Sequence, residues 1–332
     1  MEALNRVIDD KVANLRLTSA KLLTALNEKN RTATRENTSI DWDIDVGGGG
    51  AAWESVTQDG QDTSTDDVVP AQLRIGSYRV KHQFKVSKVA ITEAASRAPE
   101  ELKDLFGAHV TRGLTHITRE VNRALYLADG TAAFGQMVGL NSVINNTSSY
   151  AGINPTTYTS WKSIVLGNGT ARNLTKDLLL DLDEAVANNE TMYDAIVMSP
   201  TTAKAYNKLF DLQGANNTPI ILTSDGRFPE VDLGHGARYY NGYPIIEDPL
   251  CPNGIIYFMN SADITLFTFK MRSGSAKPSQ YEEVVTNNVY GLNLHISELP
   301  SNNSAVRKFE LFVLPQLRVF SRKSVMVIKD LN

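Results

Sequence analysis

Two segments of the chain alternate charged and apolar residues with a period of two, which is the pattern of a β-strand that buries one face. The first segment consists of Asp41, Trp42, Asp43, Ile44, Asp45 and Val46. The second places Arg79, Lys81 and Lys85 between apolar or aromatic residues such as Phe84. Because the two rows carry opposite charges, the pattern predicts an antiparallel hairpin arm. Carboxylates would face basic groups on one side of this arm, and an apolar stripe would run along the other.

The predicted arm has a polar tip, from Gly47 to Leu73, which opens with four glycines and is rich in Asp, Ser, Thr and Gln. From Glu36 to Leu73 the chain has nine acidic residues and no Lys or Arg. A long two-stranded hairpin is poorly stable on its own, so we expect a partner outside the chain to cover the apolar stripe. The alternative is an ordinary surface hairpin with a long loop. The candidate contact residues are Asp41, Trp42, Asp43, Asp45, Arg79, Lys81, Phe84 and Lys85.

A single long helix is predicted between Pro99 and the pair Asp129-Gly130. Pro99 suits the first helical position, and the two glutamates that follow it suit the positive end of the helix dipole. Apolar residues recur at three- and four-residue steps along one face, where Gly113 would permit close approach of a neighbouring element. At a rise of about 1.5 Å per residue this spine helix would be roughly 45 Å long.

The remaining segments predict smaller elements. Leucines and valines on one helical face predict an amphipathic helix that ends near Asn27, followed by a polar connector from Asn30 to Ser39. The stretch from Gly139 to Gly169 is rich in Asn, Ser, Thr and Gly, which predicts mostly loop, with Trp161 among its apolar anchors.

From Thr175 onward the pattern predicts a small α/β unit. Its elements are a helix capped by Thr175, a buried strand from Tyr193 to Met198, a helix from Pro200 to Leu212, a turn at Asn241-Gly242, and strands at Ile255 to Met259 and Ile264 to Phe269. Three later strands are predicted at Tyr290 to Ile296, Phe309 to Leu314 and Ser324 to Ile328. We expect these last strands to join the spine helix, so that the α/β unit is an insertion.

Composition narrows the class of protein. The 332 residues are 42% apolar and 21% charged, as in a globular protein large enough for a sizeable core. The net charge of -4 argues against tight nucleic-acid binding, although weak contact with DNA is compatible with it. The single cysteine, Cys251, excludes an internal disulfide framework and fits a reducing cytoplasm. No apolar stretch is long enough for a membrane span.

Motifs of catalysis are missing from the sequence, and no enzyme or cofactor is predicted. There is no phosphate-binding loop, dinucleotide fingerprint, H-E-x-x-H sequence or nucleophile elbow. His109 and His116 lie two turns apart on the spine helix, and a structural role explains them better than metal binding. The acidic residues from Asp177 to Glu184 form the solvated face of an amphipathic helix.

The order of the predicted parts resembles the major capsid protein of tailed bacteriophages, the Hong Kong 97-like fold. The more specific segments are Gly139 to Ser142 (GLNS), Tyr193 to Pro200 (YDAIVMSP), Asn241 to Pro249 (NGYPIIEDP) and Asn253 to Asn260 (NGIIYFMN). The resemblance implies an α+β fold. Its parts would be an N-terminal arm at 1–36, an extended hairpin loop at 37–90, a peripheral domain with the spine helix at 91–170 and 276–332, and an axial domain at 171–275.

The same resemblance implies a shell protein of the virion, assembled in the host cytoplasm as pentamers and hexamers around double-stranded DNA. It further implies a separate scaffolding protein, a portal and a decoration protein as partners. Some members of the family cross-link an arm lysine to an asparagine, but the tip from Gly47 to Leu73 has no lysine, so non-covalent shells are expected. The alternatives are an encapsulin that encloses enzymes and a soluble enzyme with a lid hairpin.

Overall fold

The computed structural model describes residues 20–47, 68–76, 79–87, 99–131, 137–211, 238–270, 282–285, 291–299 and 305–332. Within these ranges the chain forms five α-helices. They are α1 (Lys21–Glu28), α2 (Pro99–Leu127), α3 (Leu140–Val143), α4 (Lys176–Asn188) and α5 (Pro200–Asp211). The rest of the predicted N-terminal helix and the segment closing the predicted helix from Pro200 lie outside the described residues.

The predicted spine helix is α2, whose 29 residues span about 43 Å. Its buried face includes Ile117, Val121 and Leu125, which are at most 1% exposed. The predicted cap of α4 is also confirmed, because the Thr175 hydroxyl accepts a hydrogen bond from the Leu178 amide at 3.3 Å. Between residues 139 and 169 only short elements interrupt the loop, as the sequence predicted.

A six-stranded sheet forms the centre of the predicted α/β unit, in the order β5-β15-β9-β6-β8-β7. Its strands are β5 (Val165–Leu166), β6 (Ala195–Met198), β7 (Arg238–Tyr240), β8 (Tyr243–Glu247), β9 (Ile256–Met259) and β15 (Val325–Ile328). All residues of β6, β9 and β15 are buried. The predicted turn Asn241-Gly242 joins β7 to β8, and both residues have the positive φ of a two-residue hairpin turn.

The position of β15 corrects one expectation. The sequence assigned the last strand to the spine helix, but β15 pairs with β9 and β5 inside the six-stranded sheet. Its side chains alternate between two cores: Val325 and Val327 join the larger core, which contains the spine helix. Met326 and Ile328 join a smaller core beneath α4 and α5. The strand is apolar on both faces because it separates two cores, and the sequence pattern does not indicate that arrangement.

Three further sheets contribute residues to the larger core, which also contains the spine helix. A four-stranded sheet has the order β11-β12-β13-β4, a three-stranded sheet has the order β1-β10-β14, and β2 pairs with β3 alone among the strands of the described residues. The strands are β1 (Thr32–Arg35), β2 (Ser39–Asp45), β3 (Val68–Arg74), β4 (Val80–Ser87), β10 (Ile264–Phe269), β11 (Glu282–Val285), β12 (Leu294–Leu299), β13 (Val306–Val313) and β14 (Pro315–Val319). Strand β1 lies in the predicted polar connector. It was missed because it is a polar strand that, in the part of the chain the structure describes, lies at the edge of its sheet and pairs with β10 alone.

The predicted pairing of the acidic strand with the basic strand is wrong. The acidic strand β2 pairs antiparallel with β3, and the basic strand β4 pairs antiparallel with β13. Exposed cross-strand charge pairs contribute about 0.2–1 kcal/mol each. Burial of a large apolar side chain contributes about 1.5–3 kcal/mol, so the partner that best covers the apolar face decides the pairing. Phe84, for example, stacks on Phe309 of β13 with ring centroids 5.4 Å apart.

The carboxyl group of Asp248, which is fully buried, joins three separate elements. Its Oδ2 accepts hydrogen bonds from the Leu22 amide at the start of α1 (3.3 Å) and from Asn122 Nδ2 (2.7 Å) and the Tyr126 hydroxyl (2.9 Å) of α2. Its Oδ1 accepts from the Leu250 amide at 2.9 Å, in the turn after β8. Burial and the adjacent Asp248 raise the pKa of Tyr126 well above its ordinary value, so this hydroxyl remains a donor.

Substitution of Gly113 tests how closely the spine helix packs against its neighbours. A Cβ atom at this position would lie 2.5 Å from Leu311 Cδ1 and 2.9 Å from His82 Cδ2. We therefore expect Gly113→Ala to lower the melting temperature, because overpacking costs about 1–3 kcal/mol and exceeds the gain in helix propensity of about 1 kcal/mol. Gly113→Leu should be worse. The control is Thr111→Ala on an exposed position of the same helix, which should not lower stability. A Gly113→Ala protein as stable as the parent in thermal unfolding would contradict this packing.

Candidate subunit-contact surface

The ribbon formed by β2 and β3 has one face inside its own subunit. Ile40, Trp42 and Ile44 of β2 are at most 9% exposed, and Ala71 and Leu73 of β3 are buried beside them. The indole Nε1 of Trp42 donates a hydrogen bond to the Phe320 carbonyl at 3.1 Å. The expectation that an outside partner covers this stripe is therefore wrong for the described part of the arm. The chain covers the stripe with its own core.

Backbone hydrogen bonds also attach the ribbon to the body of the subunit. The Gln72 amide of β3 donates to the Ala151 carbonyl at 3.0 Å, whereas the bond from the Ile75 amide to the Thr38 carbonyl, at 2.7 Å, joins the two strands to each other. The Ser160 hydroxyl donates to the Val46 carbonyl at the far end of β2. Both strands are thus attached to the body, and residues 48–67 of the predicted tip lie outside the described residues.

The outer face of β2 carries the predicted carboxylates, which we call the acidic row: Asp41, Asp43 and Asp45. All three are exposed. Asp41 accepts hydrogen bonds from the Ser39 hydroxyl at 2.8 Å and from Gln72 Nε2 at 2.8 Å, and these bonds lower its pKa. Opposite Asp43 and Asp45 lie Pro70 and Val68 of β3. Within the described residues the acidic row forms no ion pair.

The basic residues at the start of β4 have a partner that the sequence analysis missed. Glu310 of β13 is 1% exposed, and its carboxylate binds the Arg79 guanidinium, Gln83 Nε2 at 2.6 Å and Lys81 Nζ at 3.8 Å. The Arg79 guanidinium also lies over the Phe312 ring, 4.3 Å from its centroid. These contacts fix Arg79 and Lys81 within their own sheet. The only signal for Glu310 was its place in a strand predicted from Phe309 to Leu314.

Further along β4, Lys85 lies directly opposite Lys308 of β13. Lys85 is exposed and Lys308 half-buried, and neither forms an ion pair within the described residues. Like charges opposite each other on antiparallel strands are destabilising. The lysine pair, as we call Lys85 and Lys308, is therefore a cationic patch that no carboxylate among the described residues compensates.

The eight predicted contact residues are thus divided among three environments. The acidic row and Lys85 are exposed, lie in different sheets and form no ion pair with each other. Arg79 and Lys81 are exposed at their ends and hold Glu310. Trp42 and Phe84 are buried, and Phe84 stacks on His109 of the spine helix with ring centroids 5.2 Å apart.

A buried amide that was not predicted anchors the base of the arm. The side chain of Gln316, in β14, is 1% exposed. Its Oε1 accepts a hydrogen bond from the Val138 amide at 2.9 Å, and its Nε2 donates to the Arg74 carbonyl at 2.7 Å. Gln316 therefore links the end of β3 to the segment that follows the spine helix.

The described residues contain neither a cluster of metal-binding side chains nor a membrane-spanning helix. No cluster of three or more His, Cys, Asp or Glu side chains there has the arrangement of a metal site. No helix in this part of the chain is both long and apolar enough to cross a membrane.

A family model identifies the class of protein. The model described as the phage capsid family matches residues 20–289, which is most of the chain. The chain therefore belongs to the phage capsid family, as the sequence analysis expected. No curated protein matches the chain.

Solved capsid structures share the fold over nearly the full length. The capsid of cyanophage A-1(L) is 22% identical, with 97% of this chain and 95% of that chain covered and a TM-score of 0.77. The capsid of a native GTA particle is 17% identical, with coverage of 98% and 96% and a TM-score of 0.62. The SrpI encapsulin of Synechococcus elongatus is 12% identical, with coverage of 91% and 85% and a lower TM-score of 0.56. These likenesses confirm the predicted α+β capsid fold.

The anchoring role of Gln316 is testable with a substitution of similar shape. Gln316→Met should leave the Val138 amide and the Arg74 carbonyl without their partner. Both hydrogen bonds are half-buried, so each loss should cost up to about 1–3 kcal/mol, the cost of an unpaired buried group. We expect a clear loss of thermal stability and faster proteolysis at the base of the arm. Gln72→Met is the control, because Gln72 is exposed and its hydrogen bonds lie at the surface. Equal effects of the two substitutions would contradict the anchoring role.

Proposed function

We propose that the chain is the major capsid protein that forms the icosahedral head shell of a tailed bacteriophage around double-stranded DNA. The observation that carries this proposal is the match of the phage capsid family to residues 20–289. The higher TM-score with the cyanophage capsid than with the encapsulin supports a phage shell over an enzyme compartment. In this proposal the protein works through assembly and containment, not through catalysis.

The proposed contact between neighbouring copies is electrostatic. The acidic row of one subunit meets the lysine pair of the next, with Arg79 and Lys81 on the same face of β4 at its border. Two features support this assignment: the charges are complementary, and neither group has an ion-pair partner within the described residues of its own subunit. Trp42 and Phe84 contribute indirectly, because their burial holds the two charged strands in place.

The strength of such a contact is modest for each copy. Exposed ion pairs contribute about 0.2–1 kcal/mol each, and their main effect is to set register and exclude wrong partners. A shell repeats the contact many times, so a weak and specific interaction suffices to hold neighbouring subunits together. A weak contact can also break and form again with another subunit while pentamers and hexamers assemble. Because exposed charges are screened by salt, shell assembly should weaken as ionic strength rises.

The wider setting is also a proposal. The protein would assemble in the host cytoplasm with a separate scaffolding protein, a portal and a decoration protein, and would reside in the virion. Its arm, at 37–90, would lie over a neighbouring subunit, and the unit at 171–275 would meet its copies around the five- and six-fold axes.

Electron microscopy of the purified particles tests the function directly. Closed shells that contain DNA are expected. Shells that contain only a protein cargo would instead support the encapsulin alternative, and discrete small oligomers without shells would overturn both.

A charge-swap experiment tests the contact. Reversal of the acidic row (Asp41→Lys, Asp43→Lys, Asp45→Lys) and reversal of the lysine pair (Lys85→Glu, Lys308→Glu) should each prevent closed shells, because like charges would meet at the interface. The chain with all five changes should assemble again, because the attraction is restored with opposite polarity. Sedimentation and electron microscopy report assembly, and thermal unfolding checks that each subunit is folded.

The control for the swap is reversal of two exposed lysines outside both the hairpin arm and the unit at 171–275, Lys21→Glu and Lys162→Glu, which should leave assembly unchanged. Arg79 and Lys81 are excluded from the swap, since their loss would leave the buried carboxylate of Glu310 without its cationic partners. If the five-fold variant assembles no better than the acidic-row variant, the two groups do not meet.

Mature shells should be held without covalent cross-links. The tip from Gly47 to Leu73 has no lysine, and the Lys81 ammonium group is bound to the Glu310 carboxylate of its own subunit. Burial and nearby Asp248 raise the pKa of the Cys251 thiol, so a thiolate is not available there either. Particles boiled in detergent and reductant should release one band near 36.5 kDa. A ladder of larger species would show that a cross-linking reaction occurs.

A further inference from the structure

One face of the spine helix carries a row of basic and imidazole side chains. The residues are His109, Arg112, His116, Arg119 and Arg123, at successive spacings of three and four. Side chains at these spacings lie on one face of a helix. We call this set the cationic stripe. Arg112, His116 and Arg123 are exposed, and His109 and Arg119 are half-buried.

The cationic stripe borders an open cleft between the spine helix and β4. The cleft has a volume of about 550 Å³, and its lining includes Lys81, His82, His116, Arg119 and Arg123. The rings of His82 and His116 stack across it, with centroids 5.1 Å apart and planes inclined by 22°. The cleft is therefore formed by elements whose relative position is fixed by packing.

The described carboxylates near the cleft do not neutralise it. Glu120 also lines the cleft and forms an ion pair with Arg123 at 3.3 Å. Glu310 is engaged by Arg79 and Lys81. Arg112 and Arg119 form no ion pair within the described residues.

The pKa of the His82 imidazole is lowered by burial and, in part, by this surplus of positive charge. Burial lowers its pKa, and the nearby His116 and Arg112 lower it further. A local positive surplus on a protein with a net charge of -4 is a site of attraction for anions.

We propose that the cationic stripe binds the phosphodiester backbone of the packaged DNA without reading its sequence. From Arg112 to Arg123 the stripe extends about 16 Å along the helix axis. Each DNA strand presents a phosphate about every 3.4 Å along its axis, so the row can face several phosphates at once. This inference rests on the proposed function as a genome container. The cationic stripe would be the place where each subunit contacts the DNA. One such contact is weak, and the shell repeats it many times.

The test measures binding of a labelled short DNA duplex to the purified full-length chain by fluorescence anisotropy. Titrations at salt concentrations from about 50 to 200 mM give the salt slope, which counts phosphate contacts at about 0.9 per contact. Replacement of all three arginines by glutamine (Arg112→Gln, Arg119→Gln, Arg123→Gln) should reduce this slope by about 3. Glutamine keeps a helix propensity close to that of arginine, and thermal unfolding verifies the fold.

The matched control removes three exposed lysines elsewhere, by Lys162→Gln, Lys204→Gln and Lys208→Gln. Both variants lower the formal net charge by three, so a difference between their salt slopes shows that the position of the removed charges matters, and not only their number. An unchanged slope in the arginine variant, or an equal reduction in the control, would overturn the proposal. Full displacement of the duplex by inorganic phosphate at matched ionic strength would also overturn it, because the cleft would then be a site for a small anion.

Particle formation separates this inference from the function on which it depends. If the arginine variant still forms closed shells but these retain less DNA than control shells, both proposals are supported. Shells of the arginine variant with the normal DNA content would refute the stripe alone. Absence of DNA from shells of the parent protein would refute the function as a genome container.

Discussion

The fold depends on one buried carboxyl group. Helix α1 begins without a capping side chain from its own sequence, because Ala20 occupies the N-cap position. The first amides of α1 instead bind side chains from distant elements: Leu22 binds Asp248, and Leu23 binds Asn122 Oδ1 at 3.0 Å. Asp248 also binds two side chains of the spine helix. Because an unpaired buried polar group costs about 1–3 kcal/mol, the N-terminal helix, the spine helix and the turn after β8 must take their positions together.

The apolar and the charged side chains of the arm have different roles. The apolar side chains of β2 and β3 stabilise the subunit that carries them, and the charged side chains remain at the surface. A subunit built in this way exposes little of the apolar stripe before assembly, which limits unspecific association. In the proposed contact, the charged surfaces then select the correct neighbour. The buried Glu310 performs a related task, because it fixes Arg79 and Lys81 on one face of β4.

The sequence predicts well those elements that local interactions determine. The spine helix, the Thr175 cap and the Asn241-Gly242 turn follow from residue spacing and backbone preference, and all three are present. Strand partners were predicted poorly, because opposite charges on β2 and β4 are a weaker determinant than burial of their apolar faces. The candidate site was predicted in part. Its exposed carboxylates follow from alternation along β2, whereas Lys308, Glu310 and Gln316 gain their roles only from strands that lie far apart in sequence.

The place of β15 has a consequence for the kinetics of folding. Strand β15 lies between β5 and β9, and it fills both cores of the subunit. During synthesis, residues 325–328 are made about 65 to 160 residues after the strands with which they pair. The six-stranded sheet therefore cannot close until these residues have left the ribosome, and pairing over such distances along the chain is slow. The growing chain lacks a finished subunit surface during translation, which delays shell assembly until complete chains have accumulated.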